Sequence, residues 1–150
     1  MTDKKVARRE SRRIAIQTVF YYLEREQSVS MRKCFSFVLK EIQEKTKDSF
    51  ALEIVEAAEE NIGKVKVIIR AYAPEFPYEK IAPINRVLLV LGITEMKFLD
   101  TPPVVAINEY VDLAKDFGED KSASFVNGVM DNYRRKSGLQ GSKKGEIKDQ

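Results

Sequence analysis

Apolar residues recur along this chain in steps of three and four, the spacing of one helix face, and no stretch alternates as a strand would. From about Lys5 to Glu26 the apolar positions are Ile16, Val19, Phe20 and Leu23. A second helix, about Met31 to Thr46, places Met31, Phe35, Val38, Leu39 and Ile42 on one side, with Cys34 at the border as a small buried hydrophobe. A third, about Ser49 to Tyr72, carries Val55, Ala58, Ile62, Val65, Ile69 and Tyr72, a long narrow packing seam.

Pro74 and Pro77 interrupt the pattern, because proline lacks the backbone donor and restricts the residue before it. The next helix starts near Pro83, a residue suited to a first turn. From Ile84 through Val87, Leu88, Leu89, Val90, Leu91 and Ile93 to Met96 it is apolar nearly all round, so it is central and surrounded by others. Thr101, Pro102 and Pro103 end the following loop. A fifth helix, about Val104 to Phe117, sets Ile107, Tyr110, Val111, Ala114 and Phe117 on one stripe and stops at Gly118. Ser122 or Ser124 caps a sixth, with Phe125, Val126, Val129, Met130 and Tyr133 at helical spacing. The predicted fold is all-α: a compact bundle of six to seven helices in two three-helix halves, about 1–76 and 79–137, sharing a core. Residues 1–137 form this domain, and residues 138–150, rich in Gly, Ser, Lys and Glu, are expected to be a disordered tail.

Composition narrows the chemistry. With 43% hydrophobic and 33% charged residues the chain has enough apolar content for a real core and is not a disordered protein. No apolar run reaches the ~18 residues that span a bilayer, and no apolar signal segment follows the charged start, so the expected location is the cytoplasm. There is no histidine and a single cysteine, which removes histidine-based catalysis, internal disulfides and cysteine–histidine metal sites. No glycine loop cradles a phosphate, and the carboxylates are spread among lysines and arginines as on solvated helix faces. The chain reads as a non-enzyme without a cofactor.

The net charge is only +3, but its distribution is uneven. Lys4, Lys5, Arg8, Arg9, Arg12 and Arg13 crowd the first helix against Glu10 alone, a local field that attracts phosphate backbones. At ~100° per residue, Arg8, Arg9, Arg12 and Arg13 fall within an arc of roughly 140°, and Ile16, Val19, Phe20 and Leu23 continue nearly the same arc. The expected geometry therefore has the apolar part packed in the bundle and the arginine part overhanging its end. The arginines also oppose the helix dipole at an N-terminus, an unfavourable placement that suggests a purpose. The alternative is an ordinary solvated helix start.

Residues 102–118 read PPVVAINEYVDLAKDFG and residues 122–131 read SASFVNGVMD. Together with ARRESRRIAIQTVFYYLE at the start and INRVLLVLGITEM in the middle, they resemble, in order, the motifs of the NusB family over most of residues 5–135. The resemblance implies an all-helical factor of transcription antitermination and ribosomal RNA synthesis that catalyses nothing. It implies three partners: the boxA element of nascent RNA, the ribosomal protein NusE, and the elongation complex with RNA polymerase. Carried over by position, the RNA face comprises Arg8, Arg9 and Arg12, joined by Phe117, Lys121 and Phe125 around the connection between the last two helices. Ser122 would donate to a phosphate at that helix start, and the two phenylalanines are either core residues or base platforms. Lys4, Lys5 and Arg13 extend the basic helix, and Phe20 stands where the family often has tyrosine. Asn85 and Arg86 fall at the contact with NusE, where the family usually has an acid before the cation, so that contact is expected to be weakened or rearranged. Val90 replaces a frequent arginine, leaving Glu95 in an apolar helix in need of a partner. The N–H groups of the helix near Val104 are the expected donors.

Two alternatives come from other classes. RNA cytosine methyltransferases carry a similar helical domain ahead of a catalytic one, but no cofactor motif occurs here and a free-standing factor is expected. A protein-interaction module that kept the fold and lost RNA or NusE binding is the other. The oligomeric state, monomer or a homodimer covering the RNA face, stays open.

Overall fold

The computed structural model describes residues 2–42, 49–75 and 77–139, with side chains from residue 8 onward in the first stretch and from residue 50 in the second. Among these residues it is all-helical: α1 (Thr2–Glu24), α2 (Met31–Glu41), α3 (Ser49–Glu60), α4 (Ile62–Tyr72), a 3₁₀ turn (Tyr78–Lys80), α5 (Pro83–Phe98), α6 (Pro103–Phe117) and α7 (Ser122–Lys136). No described helix is long and apolar enough to cross a membrane. The expected disordered tail lies almost wholly outside the described residues.

The chain divides into two compact units, Met1–Glu60 and Asn61–Gln150. The division does not fall at the proline segment but inside the helix expected over residues 49–72. Asn61, at φ −115° and ψ 18°, leaves helical geometry between α3 and α4 while its carbonyl still accepts the Val65 N–H at 2.9 Å. Asparagine's side chain competes for local backbone bonds and Gly63 follows two residues on, so this is the weakest helix-forming point of the run. The predicted seam is thereby shared out: Val55 and Ala58 are buried in the first unit, Val65 and Ile69 in the second.

In the first unit α1 packs on α2 and α3, and α2 packs on α3. The buried face of α1 is broader than the predicted stripe, adding Ser11, Ile14, Ala15, Thr18 and Tyr22 to Ile16 and Val19. Beyond α1 the chain turns through Glu26 and Gln27, both at positive φ. The start of α2 is capped twice: Ser30 Oγ accepts the Lys33 N–H at 3.2 Å, and Glu59 of α3 accepts the Met31 N–H at 3.1 Å. These bonds satisfy donors that a helix start leaves open and place a carboxylate at its positive end. An Arg32–Glu56 ion pair adds a second link between α2 and α3. Ile42, predicted on the core face of α2, is instead 42% exposed because the helix ends at Glu41.

In the second unit α5 is the centre, packed by α4, α6 and α7. Residues Val87–Met96 are all buried, as an all-round apolar helix requires. At Gly92 an added Cβ would run into the Met130 side chain, so glycine here lets α7 approach α5 closely. Glu95 has no exposed surface. Its carboxylate accepts the Thr101 hydroxyl at 2.8 Å and the Tyr110 hydroxyl at 2.5 Å, and its carbonyl accepts the Leu99 and Thr101 N–H groups. Two hydroxyls thus answer the need of this buried carboxyl for partners. The link is one carboxyl shared between the α5–α6 turn and α6 itself.

Candidate nucleic-acid interface

The basic helix of the first unit is arranged differently from an overhanging row of arginines. Arg8 is exposed and its guanidinium lies 4.0 Å above the centre of the Phe50 ring of α3. Arg12, one turn on, is only 4% exposed and sits 5.3 Å from the same ring. The arginines are thus separated by depth: Arg12 is part of the packed face, and Arg8 presents one edge outward with an aromatic ring behind it. A guanidinium held over a ring loses less freedom when its N–H fork meets a phosphate. Arg9, Arg13 and Phe20 are half-buried along one flank, within about 40° of each other on the wheel. Arg13 pairs with Glu10 at 3.6 Å. Lys4 and Lys5 lie within α1, and their side chains are outside the described residues.

Phe50 does not stand out in the sequence, since an aromatic in an apolar-rich helix looks like core. A second aromatic surface is equally hidden there. Tyr21 and Phe37 stack with ring centres 4.7 Å apart and planes 9° apart, and the Arg25 guanidinium covers Tyr21 at 4.1 Å.

In the second unit the structure gathers several predicted residues around one cleft. Lys80, Ile81, Ala82, Asn85, Glu119, Lys121, Ser122, Ser124 and Phe125 line a cavity of ≈ 370 Å³. Asn85, read as a protein contact, and Lys121, Ser122 and Phe125, read as RNA contacts, therefore share one site. Phe125 is half-buried, neither sealed in the core nor free of it, and Lys121 is exposed. Phe117 is also half-buried but lies outside the lining of this cleft.

The floor of the cleft is set by the tight turn from α6 into α7. Ser122 neither caps α7 nor faces solvent. It is 2% exposed, and its Oγ accepts the Glu119 N–H at 2.9 Å. Lys121 holds the N-cap position without a side-chain bond, and Ser124 Oγ donates to the Lys121 carbonyl at 3.4 Å. Gly118 is extended, at φ −98° and ψ −168°, so it is not a left-handed stop. Glycine is needed for space: a Cβ there would come within 2.5 Å of Ser122 and 2.8 Å of the Ala114 carbonyl.

Asn85 and Arg86 diverge. Arg86 Nε donates to the Ile81 carbonyl at 3.0 Å, and its guanidinium lies 5.4 Å from the Tyr78 ring. Lys66 Nζ and the Arg70 guanidinium approach the same ring, each at 5.4 Å. Burial pushes the Lys66 amine below its ordinary pKa, and the charges of Arg70 and Arg86 push it further. Burial raises the Tyr78 phenol, against the pull of Arg86 and Arg70. Asn85 Oδ1 is buried and has no hydrogen-bond partner.

A further cleft of ≈ 510 Å³ also borders Ser124 and Phe125 and is lined by Tyr72, Asn132, Arg135 and Lys136. There Asp131 accepts from Arg134 at 2.7 Å and Arg135 at 3.0 Å, bonds that hold its carboxyl below the usual range.

Comparison with known proteins gives the family. The NusB family model matches residues 9–135. The transcription antitermination protein NusB of Koribacter versatilis is 32% identical over 146 residues, spanning 96% of this chain and 99% of the relative. That of Bacillus licheniformis is 41% identical over 88 residues, 58% of this chain and 68% of the relative. A crystal structure of antitermination factors NusB and NusE in complex with dsRNA aligns at TM-score 0.77 and 26% identity, covering 86% of this chain and 97% of that one. The match takes in the arginines from Arg9 onward, the central helix α5 and the α6–α7 turn, and the chain belongs to the NusB family of transcription antitermination proteins.

Proposed function

We propose that this chain is a cytoplasmic antitermination factor that binds boxA-type single-stranded RNA together with ribosomal protein NusE and supports ribosomal RNA transcription. It acts within the elongation complex with RNA polymerase, as a binding factor that catalyses no reaction. The observation that carries the reading is the agreement between the family match and the two basic, aromatic surfaces. One is Arg8 on Phe50 in the first unit; the other is Lys121 beside Phe125 in the second. The similar solved complex holds NusE and double-stranded RNA. The single-strand preference proposed here rests on the half-buried phenylalanines, because unstacked bases need an aromatic or guanidinium plane.

A titration of boxA-like RNA, with and without NusE, over a range of salt tests this. Binding tightens with NusE and falls steeply as salt rises. Arg8→Ala and Lys121→Ala each flatten the slope of log K against log salt, by about 0.7 for every single-strand phosphate that is no longer neutralised. Arg12 is unsuited to the test because its burial makes its replacement a folding experiment. Absence of binding in low salt with NusE present would sink the reading.

A further inference from the structure

We infer that the cleft between the start of α5 and the α6–α7 turn takes a single nucleobase, and that Asn85 reads it by accepting a hydrogen bond from an exocyclic amine, as adenine or cytosine offers. The inference rests on the RNA-binding reading above and assigns it one residue of base specificity.

The chemistry of the cleft is that of a base pocket. Phe125 supplies an aromatic surface and Ile81 an apolar one, while Lys80 and Lys121 supply the positive charge that a backbone phosphate needs. A volume of ≈ 370 Å³ suits a ligand of nucleotide size. Among polar groups here, Asn85 stands apart because its Oδ1 is buried and unpartnered. A carbonyl oxygen taken from water without a replacement bond is costly, so the free protein carries an acceptor waiting for a donor. No internal bond holds that oxygen, and the last torsion of an asparagine side chain is broad, so on this proposal it turns towards a donor in the cleft. Glu119 on the rim repels a second phosphate and favours a group that donates. Asparagine is suited to an amine beside a ring acceptor, the pattern shared by adenine and cytosine. An acid at this position would also accept, but its charge would repel the phosphates of the same strand. The neutral carboxamide keeps the acceptor without that repulsion.

The test is a cycle of protein and RNA changes. Wild type, Asn85→Leu and Asn85→Asp are titrated, alone and with NusE, against boxA-like RNAs. In each RNA one adenosine or cytidine is replaced by its analogue lacking the exocyclic amine. At one position the missing amine weakens wild-type binding by about tenfold, the effect of removing one good base hydrogen bond, and leaves Asn85→Leu unaffected. Asn85→Asp binds all the RNAs more weakly yet keeps the preference for the amine. Circular-dichroism melts of the three proteins coincide near the wild-type temperature. If every analogue costs the wild type and Asn85→Leu alike, the inference is overturned while RNA binding stands. A uniform loss for Asn85→Leu seen only with NusE present also overturns it, and makes Asn85 a protein contact. If the wild type binds none of the RNAs, the inference falls together with the reading beneath it.

Discussion

The two units present charge and aromatic surface in opposite ways. In the first, a ring lies under an arginine: Phe50 backs Arg8, and the exposed feature is a cation with a fixed plane. In the second, the polar groups surround a recess, and the exposed feature is the space between Phe125, Lys121 and Asn85. A backed cation suits any phosphate, so it supplies affinity without regard to sequence. A recess with a buried unpartnered acceptor accepts some bases and refuses others. On the proposed reading, affinity and selectivity reside on different structural principles and respond to different perturbations.

The severest way to break the comparison is to unseat the second unit from within. Glu95→Ala removes the acceptor of two hydroxyls and opens a cavity in α5, and should cost about 3 kcal/mol or more of stability. In urea unfolding the midpoint should fall markedly. A variant as stable as the wild type would show that the buried carboxylate does not hold α5 to α6. Next in size is Gly118→Ala, which forces a Cβ against Ser122 and the Ala114 carbonyl. It should cost about 1–3 kcal/mol, and RNA affinity should fall beyond what the stability loss explains, because the turn carrying Lys121 shifts. Calorimetry paired with titration at a temperature well below the melt separates the two effects.

Phe50→Leu sharpens the other side. It keeps the apolar burial and every charge, so the salt slope should match the wild type while affinity drops a few fold, by the ~0.5–1 kcal/mol typical of an exposed cation on a ring. A changed slope would mean that Phe50 positions more than Arg8. The smallest effect is at Asp131, whose carboxyl is held low by bonds from Arg134 and Arg135. A carboxyl with a depressed folded value stabilises fully above its unfolded value near 3.8 and loses that stabilisation as pH falls through the folded one. Melting temperatures of the wild type and Asp131→Asn should therefore differ slightly at pH 5 and converge towards pH 2. The gap reflects a few tenths of a kcal/mol, as for other partly exposed ion pairs.

Much of the fold was legible because burial follows periodicity. The all-round apolar run of α5 announced a central helix, and Pro83 stands at the start its chemistry favours. The break at Asn61 was hidden because the steps of three and four run straight across it: Val55 and Ala58 serve one unit, Val65 and Ile69 the next, with no change in spacing. Only the weak Asn–Ile–Gly stretch could have signalled it. The candidate interface was legible in its charges but not in its depth. A helix wheel cannot tell that Arg12 is buried while Arg8 at the end of the same face is exposed. Nor can it find Phe50, which touches the arginines through the fold alone. The cleft assembles Asn85 with Lys121 and Phe125 from distant segments, and no local pattern carries such a meeting. Gly118 stands out in the sequence as a conformational stop, whereas its use in the fold is to give Ser122 room.

The double use of Glu95 has a kinetic consequence. Its carbonyl holds the Leu99 and Thr101 amides while its carboxylate holds the Thr101 and Tyr110 hydroxyls, so the α5–α6 turn has no opening of its own that spares the core. In native-state hydrogen exchange this surface turn should not behave as a fraying loop. Its amides should exchange only when the whole second unit opens, reporting the global stability of that unit from a position at its edge.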